Sequence, residues 1–371
     1  MTNYFKETNA EAKASFINTA VESKLTLDTK ETPNFTLYTA TRDNGADKLY
    51  LSQSGLHVIE GLPCSALQVA AMDEGFQDNK DWNFGFMYLA PKDERVTRTL
   101  PGNVDGNRAF HPEATHCVEN AAYEALNSIM NPEHSHSIKD KVKFVATFVQ
   151  YIRAGRMGEL VNAIAGGQSS NPKGVFYAGR EEPAEIKLLK DKYNELMQDK
   201  EQRIVFHDLH TGFHVDQGDG TPLYITSKAE DSAEGIILKS IVRDAVQGDP
   251  ERAGFNFSSL VNKNGEIYNP NGSIDCHLTK EHPNATLVVT EYGTFPGSQK
   301  TKPLVNVRLA LRLIAKNQLE RYGGTSTRSH NQIERAFREM FYPTTSKNAT
   351  QWREGALDNH LHNLEQMLRK F

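Results

Sequence analysis

Lys48-Leu49-Tyr50-Leu51-Ser52-Gln53-Ser54-Gly55, followed after a short gap by the run from Leu62 to Met72, decides the fold. The first stretch reads as a strand entering a glycine turn. The second, rich in Ala, Leu and Val, reads as the helix that follows it. The same strand-then-loop form recurs at Arg203-Ile204-Val205-Phe206-His207-Asp208-Leu209-His210 and at Ala285-Thr286-Leu287-Val288-Val289-Thr290-Glu291. Upstream, residues from about 10 to 24 space apolar side chains at helical intervals, and Phe35 to Ala40 alternates like a strand. Further helices are expected at about 114–130, 139–164, 183–199, 233–246, 303–321, 327–341 and 351–370. Strands alternating with helices of this length predict an α/β fold. We expect a single domain over residues 1–371, with a central mixed, largely parallel sheet flanked by helices. In such sheets ligands bind beyond the carboxyl ends of the strands.

Composition narrows the function classes. At 38% hydrophobic, 371 residues supply a substantial core. Lys and Arg number 42 against 47 Asp and Glu, and the charges are scattered, so no basic face for nucleic acid is announced. Cys64, Cys117 and Cys276 are far apart and form no Cys-x-x-Cys, which argues against disulfides or a thiolate metal site and fits a reducing cytoplasm. The opening residues Met1 to Glu7 are polar where a secretory peptide is apolar, and no stretch approaches the roughly 18 apolar residues of a membrane span. Neither export nor a membrane anchor is expected.

The spacing His57-x-x-Glu60, at a strand-to-helix junction, brings an imidazole and a carboxylate round to the same side. A catalytic zinc site takes three N/O protein ligands and keeps a position open for water. His116-Cys117-Val118-Glu119 repeats the spacing, but inside an expected amphipathic helix with no strand before it. In the strand ending His207-Asp208-Leu209-His210, alternation places His210 with Asp208 and opposite His207, making His210 the candidate third ligand. Glu291 closes an apolar β-branched strand ahead of Tyr292-Gly293-Thr294, a position from which a carboxylate reaches a cleft as a general base. Arg98 and Asp105-Gly106-Asn107-Arg108 add groups able to bind a carboxylate. Gly166 to Gly174, rich in Gly, Ser, Asn and Pro, reads as a long functional loop.

Taken in chain order, His57/Glu60, Arg98, Asp105/Asn107/Arg108, His210 and Glu291 resemble the pattern of the zinc carboxypeptidase superfamily. The nearest likeness is to a little-characterised cytoplasmic carboxypeptidase-like group related to succinylglutamate desuccinylase and aspartoacylase. The resemblance spans nearly the whole chain. It implies one zinc ion held by His57, Glu60 and His210, with Glu291 as general base and Arg98 polarising the scissile carbonyl. It also implies that Asn107 and Arg108 hold a substrate carboxylate, and that Asp105 hydrogen-bonds a zinc-ligating histidine. Gly106 and Ala109 depart from the usual Asp-Leu-Asn-Arg-Asn-Phe form. Tyr177 and Tyr292 are the candidates for a substrate-contacting tyrosine. The implied substrate is a small peptide or an N-acyl amino acid. A metal-containing binding protein without catalysis would lack the base or the carbonyl-polarising Arg, and neither is missing here.

Overall fold

Among the described residues, eight strands form one sheet: β1 (Thr26–Glu31), β2 (Phe35–Arg42), β3 (Lys48–Ser54), β4 (Asn83–Pro91), β5 (Arg203–Asp216), β6 (Pro222–Thr226), β7 (Phe255–Phe257) and β8 (Ala285–Pro296). Their spatial order is β1-β2-β4-β3-β5-β8-β6-β7. The central β4, β3, β5 and β8 run parallel to one another, whereas β1–β2, β2–β4 and β6–β8 pair antiparallel. This is the mixed, largely parallel sheet that the sequence predicts. The computed structural model describes residues 3–111, 119–133, 138–156, 159–160, 163–164, 166–216, 220–226, 228, 232–245, 255–257, 272–296, 302–323, 327–345 and 348–371.

Central parallel strands are covered on both faces, so they are buried along most of their length. β3 is buried from Leu49 to Ser54. Alternate residues of β5 serve two apolar layers. Ile204 and Phe206 pack with Ile186, Leu189 and Tyr193 of the helix Ala184–Leu196 and with Ile274 and Leu278 of the helix Ile274–Glu281. Val205 and Leu209 belong to the opposite layer, with Phe16 of Asn9–Glu22, Leu67 of Gly61–Asp73 and Leu364 of Ala349–Lys370. Each such side chain, fully buried, contributes about 1.5–3 kcal/mol. Polar groups within β3 are paired: Ser54 Oγ donates to Gln68 Oε1 (2.7 Å), and Gln68 Nε2 donates to Ser52 Oγ (3.0 Å) and Met87 O (3.1 Å).

Two helix boundaries differ from the sequence reading. The helix expected from 114 begins at Ala121, where Asn120 accepts from Tyr123 N–H as a cap; residues 112–118 lie outside the described residues. The helix expected over 139–164 spans Ile138–Arg153 and stops at Gly155, which holds φ +68. There Gly155 N–H donates to Ile152 O (3.0 Å) and Arg156 N–H to Tyr151 O (2.9 Å), a glycine-closed helix end. Among the described residues no helix is long and apolar enough to cross a membrane.

Candidate functional site

β3 delivers the first two candidate ligands through a sharp turn. Gly55 adopts φ +86, and a Cβ there would lie 2.3 Å from Leu89 O of β4, so only glycine lets the chain pass this close. His57 follows, then the 3-10 turn Val58–Glu60 leading straight into the helix Gly61–Asp73. Val58 N–H and Ile59 N–H donate to Arg98 O (3.3 Å) and Thr97 O (2.9 Å), which ties this turn to the loop after β4. Parallel register pairs His210 of β5 with Glu291 of β8, so both leave the sheet on the same face, together with Asp208.

Two imidazoles converge on one carboxylate. His57 Nδ1 lies 2.9 Å from Glu60 Oε1, and His210 Nδ1 lies 2.9 Å from Glu60 Oε2. Potential donor atoms of these three buried residues all fall within 4.8 Å of one another. The remaining ring nitrogens are turned away onto buried carboxylates: His57 Nε2 to Asp105 Oδ1 at 3.1 Å, and His210 Nε2 to Asp208 Oδ2 at 2.8 Å. In a metal site such a bond fixes tautomer and ring orientation, so that the inward nitrogen, once it gives up its proton, turns its lone pair to the cation. Two nitrogens and a carboxylate oxygen suit zinc, whereas magnesium and calcium favour all-oxygen cages. The residues present fit a metal ion.

Sequence reasoning placed Asp105 behind His57 but assigned nothing to Asp208, although the Asp-x-His alternation already put Asp208 on the face of His210. Asp208 is itself supported, since Gln53 Nε2 donates to its Oδ1 (3.3 Å) and Tyr193 OH donates to Gln53 Oε1.

Around this group the other predicted residues assemble. Arg98 ion-pairs with Asp105 through Nη1, places Nη2 3.2 Å from His57 Nδ1 and Nε 3.7 Å from Glu60 Oε1. Arg108 is fully buried, donates Nη1 to Asn107 O (2.7 Å) and lies 3.7 Å from Asp105 Oδ1. Asn107 has a structural task, for its Oδ1 accepts from Ile274 N–H (3.0 Å) at the start of the helix Ile274–Glu281. Glu291 is half-buried as a residue, yet its Oε2 is sealed from solvent and has no hydrogen-bond partner among the described residues. His116 lies outside the described residues, and Glu119 is exposed ahead of the helix Ala121–Met130.

The electrostatics follow from burial set against pairing. Burial pushes the Glu60 carboxyl up, but His57 and His210 outweigh it and hold it below its usual range. Burial likewise opposes the charged form of Asp105, and Arg98, Arg108 and His57 overcome it. His210 is lifted well above an ordinary histidine, because Asp208 and Glu60 outweigh its burial. Glu291 shows the reverse balance: burial raises its carboxyl to about 7, despite His210. Burial lowers Arg108 to about 10, with Asp105 opposing.

On the opposite face His207 is buried and paired. Its Nδ1 meets Tyr50 OH (2.8 Å), its Nε2 meets Thr290 Oγ1 (2.6 Å), and its ring stacks on His360 with centroids 5.6 Å apart. Tyr292 OH contacts His360 Nδ1 (3.1 Å), which puts Tyr292 in this layer rather than beside Glu291. Cys64 and Cys276 are free thiols.

Fold and site together define a mixed α/β sheet that gathers a His-Glu-His donor group at the carboxyl ends of its central parallel strands. The chain belongs to the family described as "Protein of unknown function (DUF2817)", which matches residues 5–359. No curated protein matches it. Similar solved structures include a metallo-carboxypeptidase from Burkholderia cenocepacia, at 10% identity over 85% of this chain and 71% of that one, TM-score 0.42. Thrombin activatable fibrinolysis inhibitor is similar at 10% identity over 85% of this chain and 79% of that one, TM-score 0.44. Succinylglutamate desuccinylase from Chromobacterium violaceum is similar at 13% identity over 82% and 77%, TM-score 0.35.

Proposed function

We propose that this chain is a zinc-dependent hydrolase that cleaves an amide bond beside a free carboxylate, in the manner of a carboxypeptidase. One observation carries the reading. His57 Nδ1 and His210 Nδ1 both converge on Glu60 at 2.9 Å, and each ring is braced from behind by a buried carboxylate. His57, Glu60 and His210 would hold one zinc ion, which when bound lowers the pKa of water and polarises a carbonyl.

The chain's own residues divide the remaining work. Glu291, whose sealed Oε2 has no hydrogen-bond partner among the described residues, takes the proton from the attacking water and returns it to the leaving amine. Arg98, beside His57 and Glu60, faces the carbonyl oxygen as negative charge develops there. Removing one such donor typically costs about 100- to 1000-fold in rate. Arg108 supplies the positive charge for the substrate carboxylate, while Asn107 positions the loop by bonding Ile274 N–H. Complete burial of Arg108 favours a small substrate, which keeps a second activity in view: deacylation of an N-acyl amino acid. The free thiols Cys64 and Cys276 fit a reducing cytoplasm as its setting.

Dipeptides, longer peptides and N-acyl amino acids offered to the zinc-loaded protein separate these activities. Turnover of dipeptides supports the peptidase reading, and turnover of N-acyl compounds alone replaces it with the deacylase. Glu291→Gln is expected to keep zinc and lose hydrolysis; undiminished hydrolysis with zinc retained removes Glu291 as the base.

A further inference from the structure

Both arginines of the site share one aromatic ring. The Phe176 centroid lies 5.3 Å from the Arg98 guanidinium and 5.4 Å from that of Arg108. Phe176 is 7% exposed and holds φ +54, a left-handed conformation that a residue with a side chain rarely adopts. The loop enforces it. Gln168 N–H donates to Phe176 O (3.2 Å), Ala178 N–H to Gln168 O (2.8 Å), and Asp105 N–H to Tyr177 O (2.7 Å). The last bond ties the aromatic loop to the residue whose carboxylate both arginines approach. Behind Arg108 the backbone of Gly167 comes so near that a Cβ would sit 3.0 Å from Arg108 Cδ.

Both guanidiniums approach the carboxylate of Asp105, Arg98 also lies near Glu60, and the two arginines repel each other. A further carboxylate would settle that repulsion but would compete with a substrate anion. An aromatic face attracts both cations through its quadrupole and carries no net charge. We propose that Phe176 is the positioning residue that seats Arg98 and Arg108 for an anionic substrate. This rests on reading those arginines as contacts for the carbonyl oxygen and the substrate carboxylate. The left-handed backbone at residue 176 is the conformational cost of aiming the ring at both.

The test measures binding of N-acetylglycine to the zinc-loaded full chain by calorimetry, with zinc content and thermal midpoint followed in parallel. Four proteins are compared: the parent, Phe176→Leu, Phe176→Tyr, and the chain carrying 3,4,5-trifluorophenylalanine at position 176. Fluorination drains the ring's quadrupole while keeping its shape, so it serves even where the Leu variant does not fold. The Leu and trifluoro proteins are expected to bind about five- to thirtyfold more weakly. Phe176→Tyr should stay within about twofold of the parent, and zinc content should not change. Parent-level affinity in the trifluoro protein overturns the role of Phe176 and leaves the arginine assignment standing. A zinc-loaded parent that binds no N-acetylglycine overturns both.

Discussion

Replacing Asp208 with Asn isolates what the second bracing carboxylate does. Asp208 is fully buried and accepts from His210 Nε2 at 2.8 Å, with Gln53 Nε2 at 3.3 Å on its other oxygen. Asn preserves the shape and a carbonyl acceptor, so what is removed is charge from a charge-assisted hydrogen bond, roughly twice as strong as a neutral one. His210 then becomes a less basic ligand with a less firmly set tautomer. Groups that orient a metal-bound histidine are worth about 10- to 100-fold in metal affinity, or about 1.4–2.8 kcal/mol. Competition titration of zinc against a chelating dye reads that change directly. Unfolding in urea, run on metal-free protein, should lose stability as well, because Asp208 is one of the two carboxylates that hold buried His210 charged. A zinc affinity equal to the parent's would refute the claim that His210 is tuned from behind.

Asp105→Asn removes the carboxylate that Arg98 and Arg108, 6% and 0% exposed, both approach. Breaking a buried ion pair by removing one partner costs about 3–5 kcal/mol, so urea unfolding should show a loss of stability of that order. Gly55→Ala should destabilise by at least about 1–2 kcal/mol from the left-handed backbone alone. Its Cβ would also meet the unyielding Leu89 carbonyl at 2.3 Å, so zinc binding should weaken alongside the thermal midpoint. Acid should weaken the fold through His360, which burial pushes down to about 3. The depressed folded pKa means that stability is fully present above the unfolded value near 6.5 and is lost as pH falls towards 3. At pH 4.5 the parent should have lost about 2–3 kcal/mol relative to pH 7.5 that His360→Gln does not lose, measured by unfolding at both pH values.

Elements whose patterns announce their own environment were legible in the sequence. β5 and β8 carry β-branched residues and β3 the apolar run Leu49-Tyr50-Leu51, and each leads to a candidate side chain at the sheet's carboxyl edge. β4, Asn83–Pro91, went unread because a strand covered on both faces has no alternation to display, and its Gly85 and Pro91 read as breaks. β1 has the opposite difficulty: Thr-Leu-Asp-Thr-Lys-Glu at an exposed sheet edge offers no apolar face. The His-x-x-Glu pair alone did not distinguish His57 from His116. The distinction lies in Gly55, whose left-handed turn carries the chain from β3 onto the site. Phe176 gave no sequence signal, because its place under two arginines depends on a loop some 70 residues away from them folding back onto Asp105. Asn107 carried a signal that points to ligand binding, yet its oxygen serves a helix start, a contact set by residues 167 positions downstream.

Crystals of the zinc-soaked protein, measured on both sides of the zinc absorption edge, test the central claim most directly. The account expects one anomalous peak per chain, bonded to His57 Nδ1, Glu60 and His210 Nδ1 at about 2.0–2.2 Å. A zinc peak held by other residues, with His57, Glu60 and His210 bonded only to one another, would contradict it.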